Sequence, residues 1–403
     1  MDYTTLKRVY YANRDQYESE YNARYNNIAA VHIDFDIKGY PAFFLPTPEI
    51  MAYDYSIGRM DRTVTRIRAG LPSAAASQYY VKSLIDEVHL TLDIEQVLST
   101  RKQIAAIHRG KQDKRLSGII NKYATLRSGT RIPLDTCEDI RALYDEICLP
   151  EVISENDNNK PDGQIFRKHQ NQVIGKSETL LHEGLFPEEK IIEAIRKALM
   201  FLKSATLSLP IRVAVFHYML GYIHPFYDGN GRLARFISSY SLSREMDPLI
   251  GVRLSYTIKE NKSAYYKLFK ETNDPKNKGD LTYFIIGFLK ILNISYSNLQ
   301  TALQEKAEQL KTYKDILYSL NLESRLEDVA FLLLQVALFS PNGMRFNEIL
   351  ENTKVPQRPL RHYLTSDMTK DMFKRTKDGR AYAYALNLDW LRKQTKPSDN
   401  NNP

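Results

Sequence analysis

The chain has 403 residues, 43% of them hydrophobic and 26% charged, with 17 Gly and 17 Pro; at roughly 150 residues per domain it has room for two or three domains with buried cores. Wholesale disorder and collagen-like repeats are excluded. Lys and Arg outnumber Asp and Glu by 56 to 48, a net charge of +8, which favours acidic partners such as nucleotides, nucleic acid or acidic protein surfaces.

The first residues, Met1 to Arg8, lack the apolar core of an export signal and lead into a Tyr-rich polar helix. Val31 to Ile37 then alternates in polarity before a turn at Gly39-Tyr40-Pro41, the pattern of a short strand. From about 78 to 106 the apolar positions Val81, Leu84, Ile85, Val88, Leu92, Ile94 and Leu98 keep helical spacing, and one long amphipathic helix is expected, with the carboxylate of Glu95 at its apolar edge. Cys137 and Cys148 are the two cysteines, without CxxC spacing, so neither a disulfide framework nor a structural zinc is expected and a reducing cytoplasm fits. These first 150 residues read as an N-terminal extension.

The polar stretch Ser154 to Gly163 is a loop leading into a second region, 151–296, that reads as mostly α. Helices start at Phe186-Pro187-Glu188-Glu189 and at Leu209-Pro210, and a third covers Leu281 to Leu292. A connecting helix is expected over 297–325, then a helix at Val329–Leu338, a turn at Pro341-Asn342-Gly343, helices at Phe346 and Pro356, and a hairpin turning on Asp378-Gly379. Over 326–393 that is the order of a winged helix, and 394–403 reads as a disordered tail. The most apolar runs, Tyr283–Ile294 and Val329–Phe339, contain Lys290 and Gln335 and are shorter than the roughly 20 residues of a bilayer span. No membrane association is expected.

Chemistry concentrates in His224-Pro225-Phe226-Tyr227-Asp228-Gly229-Asn230-Gly231-Arg232-Leu233-Ala234-Arg235, a loop running into a helix N-terminus between two apolar helical stripes. Gly229 and Gly231 allow backbone N–H groups to converge into an anion nest, and the helix adds its unpaired N–H groups and positive dipole end. Arg232 and Arg235 share one helical face, where they could clamp phosphates. Asp228 is placed for a magnesium ion bridging phosphate oxygens, and His224 is the neutral-pH base of the cluster.

This segment resembles the signature of the Fic family, His-x-Phe-x-(Asp/Glu)-Gly-Asn-Gly-Arg-x-x-Arg, at every specified position. The resemblance implies a mostly α protein, a Fic-type helical bundle with a small β-hairpin flap, that transfers AMP from ATP to a hydroxyl of a target protein. It implies that His224 deprotonates the hydroxyl, Asp228 holds Mg2+, and Gly229, Asn230, Gly231, Arg232 and Arg235 bind phosphates. Tyr265-Tyr266 followed by Asn273 resembles the pattern in which Tyr266 and Asn273 line the adenine pocket. Gly163-Gln164-Ile165-Phe166-Arg167 leading to Asn171-Gln172-Val173-Ile174 looks like the flap, which aligns a target segment by strand pairing. Thr91-Leu92-Asp93-Ile94-Glu95-Gln96 resembles the inhibitory motif (Ser/Thr)-x-x-x-Glu-(Gly/Asn), whose Glu pairs with the last signature Arg and blocks the γ-phosphate; Gln96 departs from that pattern.

From Pro341 to Lys393 there are eleven basic residues against six acidic ones. Arg358 and Arg361 fall on the recognition helix of the expected winged helix and Lys377 and Arg380 flank its wing, as a DNA contact requires; packing or dimerisation is the alternative use. The expected function is an ATP- and magnesium-dependent protein adenylyltransferase acting on Tyr, Thr or Ser of a target or of itself, restrained by Glu95. Removal of AMP, with Glu95 orienting a water, transfer of another phosphate-containing group, and a transcriptional regulator with a nucleotide-sensing core are the alternatives. A homo-oligomer is also left open.

Overall fold

Short polar caps set where several helices begin: Thr5, Asn13, Thr100, Thr136 and Asn387 each accept hydrogen bonds from the first backbone N–H groups of the turn they precede. The computed structural model describes residues 3–174, 180–340, 342–379 and 381–394. Among the described residues helices dominate, with two two-stranded sheets and one three-stranded sheet, all antiparallel. Residues 175–179, Pro341 of the expected turn, Arg380 of the expected wing, and the expected tail beyond Gln394 lie outside the described residues.

The chain divides into two compact units, one formed by Met1–Arg62 with Leu84–Ser297 and the other by Thr63–Ser83 with Asn298–Pro403. Residues 1–62 and 84–150 thus group with 151–297, and 63–83 with the second unit. The hairpin of Val31–Ile37 and Tyr40–Phe44 turns on Lys38 and Gly39, both with positive φ, and Phe43 exchanges backbone hydrogen bonds with Gly279 and Leu281 at 3.1 and 2.8 Å. Those bonds fasten the N-terminal segment to the loop before a core helix.

Two helix boundaries differ from expectation. The helix expected over about 78–106 is two helices, Ser73–Ile94 and Arg101–His108. Gln96 has φ 65°, its N–H bonds Asp93 O at 3.1 Å, and the Val97 N–H bonds Leu92 O at 3.0 Å. These are the paired bonds and the left-handed residue that close a helix in a Schellman motif. The apolar repeat runs on through the break and conceals it. The connecting helix expected over 297–325 is instead the continuation of a helix spanning Thr282–Ser319, and a new one starts at Ser324.

In the second unit, helices Ser324–Phe339, Phe346–Asn352 and Gln357–Thr365 accompany a sheet in which Ala381–Leu386 lies between Met344–Arg345 and Phe373–Asp378. Gly379, in the expected hairpin turn, has φ 66°.

Candidate active site

The helix Leu209–Ile223 is apolar and buried on nearly every side, so the core fixes where it ends. It ends at His224, whose backbone is left-handed, φ 52° and ψ 62°, while its N–H still bonds Leu220 O at 3.1 Å. That conformation disfavours any residue with a Cβ. Five positions on, Gly229 is left-handed too, with φ 81°, and opens the helix Asn230–Glu245. A Cβ there would lie 3.0 Å from both the Tyr144 ring and Cys148 Cβ.

Between these two residues the chain closes on itself. Asn230 Oδ1 accepts the Phe226 N–H at 3.0 Å and its Nδ2 donates to Phe226 O at 2.8 Å. Asn171 Nδ2 donates to the carbonyls of Phe226 and Tyr227 at 3.1 and 2.9 Å. Phe226 is fully buried and stacks on Tyr144, 3.6 Å between ring centroids. These bonds hold the loop closed, and the first N–H groups of the following helix, which have no acceptor within it, suit an anion. The Asn230 side chain is spent on the loop, which leaves its N–H as the group that could meet an anion.

Asp228 is half-buried; its Oδ1 accepts the Gly229 N–H at 2.5 Å and lies 3.4 Å from Arg232 Nη2. Arg232 Nη1 is paired with Glu151, and both side chains are 1% exposed. Burial pushes the Glu151 carboxyl up, and Arg232 opposes that shift without cancelling it. Among the described residues no three His, Cys, Asp or Glu side chains gather to hold a metal by themselves. Magnesium asks for less, one or two carboxylates with phosphate oxygens and water, and the accessible Asp228 carboxylate beside an anion loop fits it.

Arg235, 1% exposed, meets Glu95 at 2.7 Å. Its Nε donates to Thr91 Oγ1 at 2.8 Å and its Nη2 to Thr91 O at 3.1 Å. Burial works to raise the Glu95 carboxyl, but the Arg235 guanidinium outweighs it and holds the group below the usual carboxylate range. The helix that ends just before Glu95 is clamped near that end: Lys259 pairs with Asp93 at 2.5 Å, and Lys262 Nζ donates to Ile94 O at 2.7 Å. One turn before Thr91, buried Glu87 accepts the Ser255 N–H at 2.8 and 2.9 Å.

Tyr266 and Asn273 sit two turns apart on one face, on the helix Lys262–Thr272 and at its C-cap. Tyr266 is 41% exposed, with Lys262 Nζ 5.7 Å from its ring centroid. Asn273 Oδ1 accepts the Tyr218 hydroxyl at 2.7 Å. Tyr265 instead points inward to His217, hydroxyl to Nε2 at 2.7 Å.

A family model described as the Fic/DOC family matches residues 133–242, a span that holds the whole His224 to Arg235 loop. Residues 133–242 are a Fic domain. A Fic family protein of Desulfovibrio desulfuricans has a similar structure, with 19% sequence identity over 85% of this chain and 96% of that one and a TM-score of 0.52. A Fic-domain signaling protein of Bacteroides thetaiotaomicron is 17% identical over 63% of this chain and 97% of its own, TM-score 0.48. A C. elegans Fic-1 fragment is 19% identical over 73% and 79%, TM-score 0.44. The Desulfovibrio likeness concerns the fold.

Fic domains transfer nucleotide or phosphate groups to targets. Among the described residues no helix is long and apolar enough to cross a membrane. Three buried charges near the loop were not singled out by sequence reading. Glu87 could have been found, since it is a carboxylate among the apolar positions Leu84, Ile85 and Val88 of the same helix. Glu151 had no signal beyond a carboxylate following Pro150. Arg167 lay inside the stretch compared with the flap, without a role of its own.

Proposed function

We propose that this protein transfers AMP from ATP to a hydroxyl side chain of a protein, itself included, and that Glu95 restrains it. The observation that carries the reading is the 2.7 Å contact between Glu95 and Arg235 beside the anion loop: a guanidinium at that point suits a terminal phosphate, and a carboxylate on it competes for the same place. His224 takes the proton of the acceptor hydroxyl as its oxygen bonds the α-phosphorus. The bond from the α-phosphorus to the bridging oxygen breaks, and pyrophosphate leaves. Gly229, Asn230 and Gly231 hold the phosphates through backbone N–H groups, with Arg232 and Arg235 beside them. Asp228 would hold magnesium, which when bound neutralises phosphate charge. Tyr266 and Asn273 would receive the adenine.

Incubation with α-labelled ATP, followed by mass spectrometry, tests the reading: wild type gains the mass of AMP and His224→Ala does not. Equal labelling of the two would overturn it. Loss of AMP from a labelled target, without incorporation, would indicate the reverse, hydrolytic direction.

A second reading concerns the C-terminal unit, as a winged helix that holds duplex DNA. It is supported by Arg358 and Arg361, exposed on Gln357–Thr365, and by Lys374, Arg375 and Lys377, exposed on the strand Phe373–Asp378. Retarded migration of a labelled duplex that weakens with salt and with Arg361→Ala would support it; no retardation at low salt would sink it.

A further inference from the structure

Arg167 is fully buried, yet its guanidinium is spent on main-chain carbonyls. Nε donates to His224 O at 2.9 Å, Nη1 to His169 O at 2.6 Å and Nη2 to Leu185 O at 2.6 Å, while its own N–H bonds Pro225 O at 3.1 Å. Burying a charge is costly unless it is well hydrogen-bonded. The acceptors come from three stretches of chain: the segment before the hairpin, the segment after it, and the left-handed end of the helix that carries His224.

These stretches are crowded and mutually tied. The Leu185 N–H bonds Ile223 O at 3.0 Å, and the Gly184 N–H bonds Asn171 O at 3.1 Å. A Cβ on Gly184 would lie 2.4 Å from Arg167 Nη2 and 2.9 Å from His224 Cβ. The backbone of Arg167 is itself held, because the Glu188 carboxylate accepts the N–H groups of Gln164, Ile165 and Phe166 at 2.9, 2.7 and 2.8 Å. Burial works against the charge of Arg167, so the guanidinium stays where these carbonyls converge.

The geometry points to Arg167 as the positioning residue for His224. A left-handed residue that carries a side chain needs its surroundings to hold it there. A donor fixed on the His224 carbonyl pins the orientation of that peptide, and with it the direction in which Cα–Cβ carries the imidazole. The same guanidinium bonds the two sides of the hairpin base through His169 and Leu185, so the base and the segment expected to align a target move as one. Arg167 touches neither nucleotide nor acceptor. This inference rests on the reading of His224 as the base.

The test uses full-length Arg167→Lys and Glu188→Gln, the second loosening the hold on the backbone before Arg167 without removing the guanidinium or touching His224. In each, labelling at saturating ATP should fall by about tenfold or more, a misplacement effect on chemistry, while KM for ATP stays within about twofold because the anion loop is untouched. The His224 Cε1–H cross-peak in a carbon–proton NMR spectrum, assigned by its loss in His224→Ala, should shift, while those of His89 and His108 stay. A merely structural Arg167 would lower the melting temperature and leave the rate and the His224 cross-peak in place, which overturns the inference. Should Arg167→Lys not fold, Glu188→Gln decides. If His224→Ala labels like wild type, the base reading falls, and the cross-peak alone decides whether Arg167 positions His224.

Discussion

A Cβ on Gly231 would sit 2.3 Å from Glu95 Oε1 and 3.0 Å from Arg235 Nη1, so the carboxylate reaches its arginine across a gap that only glycine leaves open. The glycine of the anion loop thus admits Glu95 to the space that the proposed reaction gives to phosphate. Removing the carboxylate should free the guanidinium. Glu95→Gly is expected to raise auto-labelling by about tenfold or more, within the usual range of coupling between two sites. Arg235→Ala should not do so, since it removes the phosphate partner as well. Labelling rates of both variants beside their melting temperatures check this; a well-folded Glu95→Gly protein no faster than wild type would exclude Glu95 from control.

Gln96 follows Glu95 in the left-handed conformation, φ 65°, where a side chain costs roughly 1 kcal/mol or more and glycine costs almost nothing. This gives a physical reason for Gly or Asn in the inhibitory motif and a consequence of the departure here. Gln96→Gly should relieve the strain, raise the melting temperature, and lower basal labelling by up to about fivefold, the equilibrium equivalent of roughly 1 kcal/mol. In a Glu95→Gly background the thermal gain should persist and the effect on rate vanish. A rate effect of the same size in both backgrounds would separate Gln96 from the restraint.

How much of this was legible in the sequence depended on whether the signal was local. The loop from His224 to Arg235 stood out because its glycines, carboxylate and arginines act within a dozen residues of each other. The helix leading to Glu95 was visible by its period, but its end was not, since the apolar repeat continues past Gln96 into Arg101–His108 and the break lies in one dihedral angle. Glu151 meets Arg232 across 81 positions, and Arg167 acts on carbonyls, which no residue type announces. The first 150 residues read as separate because their strands and polar helices differ in pattern from the apolar helices after them, whereas Phe43 bonds the backbone at Gly279 and Leu281. Such pairings are properties of topology rather than of composition.

Glu151 and Arg232 bear directly on stability. Both are 1% exposed, and breaking such a pair from one side leaves an uncompensated buried charge, at a cost of about 3–5 kcal/mol. Glu151→Leu should lower the unfolding free energy by that order, and adding Arg232→Met should recover much of the loss, because two apolar side chains carry no desolvation penalty. The double variant should stay poor in labelling. Urea titration of the two proteins is the check; a single variant as stable as wild type would show that Arg232 finds a sufficient partner in Asp228.

Two buried groups behind the signature helix titrate in opposite senses. Burial pushes Glu87 from 4.5 up to about 7, with the N–H groups of Ser255 and Tyr256 and the charge of Arg235 opposing; the Tyr123 phenol is the other titratable group against it. Burial and Arg235 bring His217, held between Ser238 and Tyr265, from 6.5 down to about 3. A raised folded-state value means that Glu87 contributes stability at pH below about 4.5 that is lost as pH rises through about 7. His217 is the reverse: its contribution is present above about 6.5 and is lost as pH falls toward about 3. Between about 4.5 and 6.5 the two slopes oppose and nearly cancel. Glu87→Gln should remove one of them, so that the variant loses up to about 1.4 kcal/mol for each pH unit of acidification across that window. His217→Asn should tilt the curve the other way. Melting curves from pH 4.5 to 7 for the three proteins test this, and parallel profiles would show that neither group changes its proton affinity on folding.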